Sequence, residues 1–209
     1  KHMRRRCFIG AGCAAGMLAS GCDFSLRDGI FNACRTDLPP ELKNHALVQA
    51  AWKGLDPEKV WDTHCHVFGD GDSGSGLWYN PRLNQVWRPK SYVQKSFYVN
   101  ASCVDESPGN VDRSFVERLL AQCKDMAPGF HVMLFGFDWA RNDAGEPMPE
   151  RSTFYVPDDY VAGLARKHPA HIVWAASIHP YDPRALDRLD AAVAKGVRGI
   201  KWLPSAQNI

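Results

Sequence analysis

The chain has 209 residues, 25 lysines and arginines against 23 aspartates and glutamates, a formal net charge of +2, and 45% hydrophobic residues. That balance excludes a disordered polyelectrolyte and gives little footing for nucleic-acid binding, since three of the basic residues, Arg4, Arg5 and Arg6, sit in an N-terminal segment of their own. The length suits one ordinary domain of about 100–200 residues.

Residues 1–21 read as a signal peptide, with Lys1 and His2 standing before Met3 as a leftover. Arg5-Arg6-Cys7-Phe8-Ile9 resembles the twin-arginine export motif, and the apolar run from Phe8 to Leu18 is shorter than the about 20 residues of a membrane-spanning helix. Leu18-Ala19-Ser20-Gly21-Cys22 is similar to a bacterial lipobox, which implies a membrane anchor through lipid on Cys22. An ordinary cleavage site with an incidental cysteine is the plainer alternative. Asp23 resembles an inner-membrane retention signal, so the expected location is the periplasmic side of the inner membrane. Cys34, Cys65, Cys103 and Cys123 remain, and their spacing fits no disulfide framework or zinc ribbon, which predicts mostly free, partly buried thiols.

Residues 22–57 read as a lipidated tether with a short helix around Glu41 to Lys53, and residues 58–209 as the domain proper. The first strand is expected over Val60 to His66. In a strand, side chains alternate faces, so His64 and His66 point to one side and Cys65 to the other. Two neutral imidazoles at a rigid strand end make half of a metal site; a chance pairing of two histidines is the alternative. Gly69 to Gly76 reads as a flexible loop whose acidic and glycine pattern lacks the glutamate of a calcium loop. Residues 77–110 read as an insertion with a helix near Lys90 to Val99, in which Trp78, Tyr79 and Trp87 either line a pocket or pack a long loop.

Phe115, Leu119, Leu120, Cys123 and Met126 repeat at helical spacing, and a nearly all-apolar second strand follows from Phe130 to Phe137. Asp158 is placed to cap a helix running to Lys167, before a third strand from Ile172 to Ile178. Asp182 as cap, Pro183 in the first turn and Leu186, Leu189 and Val193 on one face predict a further helix, and Val197 to Trp202 a fourth strand. Alternating strands and helices imply a parallel α/β sheet. Polar groups stand at consecutive strand ends: His64 and His66, Asp138, His179 and Lys201. Asp138 can orient a metal-binding histidine or cap a helix; His179 can touch substrate or shape a turn. No phosphate-binding loop or serine nucleophile elbow accompanies them.

VWDTHCHVFGDGD resembles the first strand of the amidohydrolase superfamily, and the runs IHPYDP and GIKWLPSAQNI are similar to later units of the branch that includes aminocarboxymuconate-semialdehyde decarboxylase. The resemblance covers roughly residues 58–209. It implies a (β/α)8 TIM barrel, here represented by its first four strand–helix units, with further metal ligands and the general base lying beyond Ile209. It also implies that His64 and His66 bind a divalent metal, zinc foremost, for hydrolysis of a C–N or C–O bond in a small-molecule substrate. Lys201 then either contacts a substrate carboxylate or carbonyl, bridges two metals as a carboxylated lysine, or reaches out from the rim. A decarboxylase or lactonase on the same scaffold, and a non-catalytic truncated lipoprotein, are the alternatives.

Overall fold

The computed structural model describes Cys34 and residues 38–209, so the signal segment and Cys22 lie outside the described residues. The strands are β1 (Trp61–His66), β2 (Trp78–Tyr79), β3 (His131–Phe135), β4 (Phe154–Tyr155) and β5 (Ile172–Ala175). Three of them form a parallel sheet in the order β1-β3-β5, while β2 and β4 pair antiparallel as a separate ribbon. The apolar runs expected for parallel strands account for β3 and β5, whose Val132, Leu134, Ile172 and Trp174 are buried.

The helices are α1 (Pro40–Lys43), α2 (Ala46–Trp52), α3 (Pro89–Ser102), α4 (Val111–Lys124), α5 (Asp158–Lys167), α6 (Ala185–Ala194) and α7 (Pro204–Gln207). The single helix expected near Glu41 to Lys53 is two, because Asn44 ends the first and the His45 ring accepts the Leu47 N–H to start the second. In α4, Phe115, Leu119 and Leu120 pack on the core and Cys123 is buried within it. Helix α5 lies on β5 and β3, adding Val161 and Leu164 to that cluster.

The expectation of a (β/α)8 barrel is corrected: among the described residues the parallel sheet has three strands and is open. The segment expected as a fourth strand, Val197 to Trp202, runs beside β5 with a single parallel bridge between Ala176 and Ile200. Past Ala175 the β3–β5 ladder ends, where the Ser177 N–H donates to Asp158 Oδ1 and the His179 N–H to Asp138 Oδ2, side-chain acceptors in place of strand carbonyls. Among the described residues no further strand follows on the outer side of β1, and the outer side of β5 meets only residues 198–201, through the Arg198 N–H to the Trp174 carbonyl, the Ala176 N–H to the Gly199 carbonyl and the Lys201 N–H to the Ala176 carbonyl, short of the eight strands a barrel closure requires.

Two further expectations change. Cys34 and Cys103 form a disulfide, leaving Cys65 and Cys123 as free thiols. A separation of 69 residues hides this pairing, which the chain path creates by bringing the two Cα atoms to 5.4 Å. In α6, Leu186 and Val193 are exposed, and the inward face carries Ala192, Leu189 and Arg188 instead. Buried carboxylates below the helix turn it so that Arg188 meets them.

Candidate functional site

Strand β1 is irregular where it matters. Its pairing with β3 skips one residue between Asp62 and Cys65, a bulge that spans Thr63 and His64. Asp62 Oδ1 accepts the His64 N–H at 2.9 Å, which holds the bulge from within the strand. The two imidazoles then stand side by side, ring centroids 5.2 Å apart, on the face opposite Cys65. Burial, with repulsion from Asp62 and Cys123, raises the Cys65 thiol to about 12, so it carries no thiolate for a metal at neutral pH.

Phe135 is the platform of this face. It pairs in register with His66, and its ring lies 5.5 Å from His64 and 5.4 Å from His66. Lys201 Nζ stands over the same ring at 5.4 Å. Ala175, the register partner of Phe135 on β5, presents only a methyl group there, so the lysine stem can cross the sheet. His64, His66 and Lys201 are thus gathered on one aromatic ring at the carboxyl end of the parallel strands. Burial first, then the neighbouring His64 and Lys201, lowers the pKa of His66, which keeps its imidazole neutral and its lone pair available.

A cavity of about 480 Å³ opens beside His66. Phe68, Tyr98, Phe115, Phe137 and Phe154 give it an aromatic wall, and Gln94 from α3 and Thr153 supply polar points. Phe154 meets Tyr98 and Phe137 edge-on, at 5.0 and 6.3 Å. Such a hollow favours a flat or apolar group with few hydrogen bonds of its own. Of the insertion aromatics, Trp78 packs on Trp139 at 4.8 Å while Trp87 is exposed.

The other two strand-end residues lie in a separate cluster. Asp138 accepts from Arg188 Nη1 at 2.6 Å, from the Trp139 N–H at 2.8 Å and from the His179 N–H. Asp182 accepts from the same Arg188 nitrogen and pairs with Arg141 at 2.9 Å, and Asp158 binds Arg188 Nη2 at 3.0 Å. His179 is fully buried, with Nδ1 accepting the Tyr181 N–H and Nε2 donating to the Gln207 carbonyl, so its ring is a neutral tie between two turns. A cavity of about 680 Å³ borders this network, and among its walls Asp138, Asp158, Arg141 and Arg188 already pair within the network and Lys195 with Asp159. Among the described residues, the one buried side-chain nitrogen or oxygen lacking a partner is Arg141 Nε.

A third group includes two aspartates of the loop whose pattern falls short of a calcium motif. Asp70, Asp72 and Asp112 bring carboxylate oxygens within 4.8 Å of one another, an arrangement that could hold a metal ion. Each is also engaged by the chain itself. Asp112 accepts from the Asp70, Gly71 and Ser73 N–H groups and from the Ser73 and Ser75 hydroxyls. Asp72 accepts from the Val111 and Asp112 N–H groups, capping α4 where Asn110 provides no side-chain cap. The stretch read as a flexible loop is therefore pinned to a helix start. Gly71 is required there: its φ is +85° and a Cβ would meet the Leu77 carbonyl oxygen at 2.6 Å.

Phe135 and Phe137 were read as strand filling, and the missed signal was parity, since they alternate together with Met133 on one face. Arg188 and Arg141 each have one near carboxylate, Asp182 and Asp138, but the pairs that join them into one network span 50 and 41 residues and leave no local cue. Comparison of the chain with family models, with curated proteins and with solved structures returns no match.

Proposed function

We propose that this chain carries an amidohydrolase-like, metal-dependent hydrolase site that cleaves a C–N or C–O bond in a small organic substrate. The observation that carries the reading is the meeting of His64, His66 and Lys201 on Phe135, at the mouth of an aromatic cavity. The two imidazoles suit a borderline cation such as zinc, whereas the three-aspartate group is an all-oxygen set suited to a harder ion. A divalent metal held by His64 and His66 supplies Lewis acidity and lowers the pKa of water to about 7. The residues of the chain do the rest. His66, kept neutral, presents a donor that protons do not block; Lys201 places a cation opposite a substrate carboxylate or carbonyl; the aromatic wall takes the apolar part of the substrate and excludes bulk water.

Export by the twin-arginine route and lipid on Cys22 complete the proposal, placing the enzyme on the periplasmic side of the inner membrane. Decarboxylase or lactonase chemistry fits the same donors. The pair has two of the three protein ligands usual for catalytic zinc, and among the described residues no His, Cys, Asp or Glu joins it as a third. That favours, as second reading, a module that binds a cation without turnover. Metal analysis of the full-length protein tests the site. One divalent ion per chain is expected, lost in His64→Ala and in His66→Ala and kept in Asp70→Asn; unchanged content in both histidine variants overturns the assignment. Hydrolysis of a panel of small esters, lactones and amides by the metal-loaded protein separates enzyme from binder.

A further inference from the structure

Between Asp72 and Asp105 the chain has no acidic residue, yet it carries Arg82, Arg88, Lys90 and Lys95. Lys95 is spent within the fold, pairing with Glu106 at 2.5 Å and standing over the Tyr79 ring. The other three are exposed, Arg82 with one guanidinium nitrogen on the Glu150 carbonyl at 2.9 Å. The same stretch leaves large apolar side chains in solvent: Trp87 at 74%, Val86 at 64%, Phe97 at 55% and Val93 at 50%. Val93 and Phe97 lie one turn apart on α3, and each is followed directly by a residue that lines the aromatic cavity, Gln94 and Tyr98. None of the residues of α3 is fully buried, so the helix gives the core little and presents much.

A stretch with exposed aromatic and aliphatic groups, basic residues beside them and no carboxylate of its own matches the electrostatics and depth profile of an anionic bilayer interface. By contrast, the exposed Leu186 and Val193 of α6 lie among Asp187 and Asp190, which such a surface repels. The contact is superficial, since among the described residues no helix is long and apolar enough to cross a membrane. The Cys34–Cys103 disulfide sits directly after α3 and holds Cys34 beside the end of this helix.

We propose that the stretch from Arg82 to Phe97 is a docking face for an anionic lipid surface, seating Trp87, Val93 and Phe97 at headgroup level with Arg82, Arg88 and Lys90 on the phosphates. It sets the cavity-bearing side of α3 next to the bilayer. The proposal stands apart from the hydrolase reading, because lipid contact needs neither metal nor turnover.

Hydrogen–deuterium exchange on the full chain, with vesicles of phosphatidylglycerol and phosphatidylcholine or of phosphatidylcholine alone, tests it locally. The expected result is a slowing of exchange over residues 82–97 on the order of tenfold with anionic vesicles, diminished by high salt. Trp87→Ser with Phe97→Ser, and separately Arg88→Glu with Lys90→Glu, abolish that slowing and leave the circular dichroism spectrum unchanged. Co-sedimentation without protection of 82–97 overturns the proposal, as do absence of co-sedimentation, equal protection around Leu186 and Val193, and protection that persists in both double variants. Protection of 82–97 by an added protein but not by vesicles would assign the face to a protein partner and likewise overturn it.

Discussion

Two polar clusters sit at the carboxyl end of the same sheet and differ in what completes them. Around Asp138 every charge has a partner inside the fold: Arg188 is shared by three carboxylates, and His179 spends both ring nitrogens on backbone. Around Phe135 the polar groups are aligned but not hydrogen-bonded to one another, with the His64 and His66 rings edge-on to each other and both, like Lys201, set against the Phe135 ring. A cluster that satisfies itself holds structure together; one whose donors and acceptors face outward is organised for something that arrives later.

The sharpest way to break the contrast is Asp138→Ala. It leaves Arg188 and Arg141 with fewer counter-charges in a buried setting, and chemical denaturation should show a loss of roughly 3–5 kcal/mol with metal content per folded chain unchanged. Gln207→Ala comes next. Its amide donates to Ser177 Oγ and to the Asp138 carbonyl while its oxygen accepts the Leu203 N–H, so about 1–3 kcal/mol should go with it. His66→Ala inverts the pattern: the residue stands at an exposed strand end with only one side of its ring sheltered, by Phe135 and Phe137, so stability should fall by no more than about 1 kcal/mol while bound metal is lost.

Acidity distinguishes the clusters more gently. Burial alone would raise Asp182, but the Arg184 N–H and the guanidiniums of Arg188 and Arg141 outweigh it and hold its carboxyl below the ordinary 3.8. A depressed carboxylate contributes stability above its unfolded value and loses it as pH falls through the folded one. Denaturation midpoints should therefore decline on acidification below pH 3.8, and Asp182→Asn should flatten that decline; Asp158, which burial raises, offsets part of it. At the histidine pair, metal should be retained below pH 6.5, since His66 takes its proton late, and Lys201→Met should move that limit upward by removing one of the repulsive charges. An unchanged limit would separate the lysine from the pair.

The parts of this contrast that sequence reading reached are those written in periodicity. The apolar runs located β3 and β5 within a few residues, Asp158 to Lys167 is a helix as expected, although Asp158 opens it without capping it and spends its carboxylate on Ser177 and Arg188, and the alternation across Cys65 put both histidines on one face. Strand-end position also singled out Asp138, His179 and Lys201, but not which would keep company with which. That depends on Arg188, whose helix face is set by carboxylates from three other segments, and on Phe135, whose role follows from register with β1 and β5. Sheet closure was inferred by likeness and not by any local pattern. Nor does any spacing announce that the Ser177 and His179 N–H groups turn to the side chains of Asp158 and Asp138, which ends the β3–β5 ladder.

The reciprocal bonding of Asp72 and Asp112 has one more consequence. Each carboxylate is satisfied by backbone that the other's segment provides, so neither the stretch following the histidines nor the first turn of α4 can come loose alone. The two should open in a single cooperative step, giving matched amide-exchange lifetimes to segments about 40 residues apart in sequence. A clasp of this kind makes the rim beside His66 inherit the steadiness of a helix.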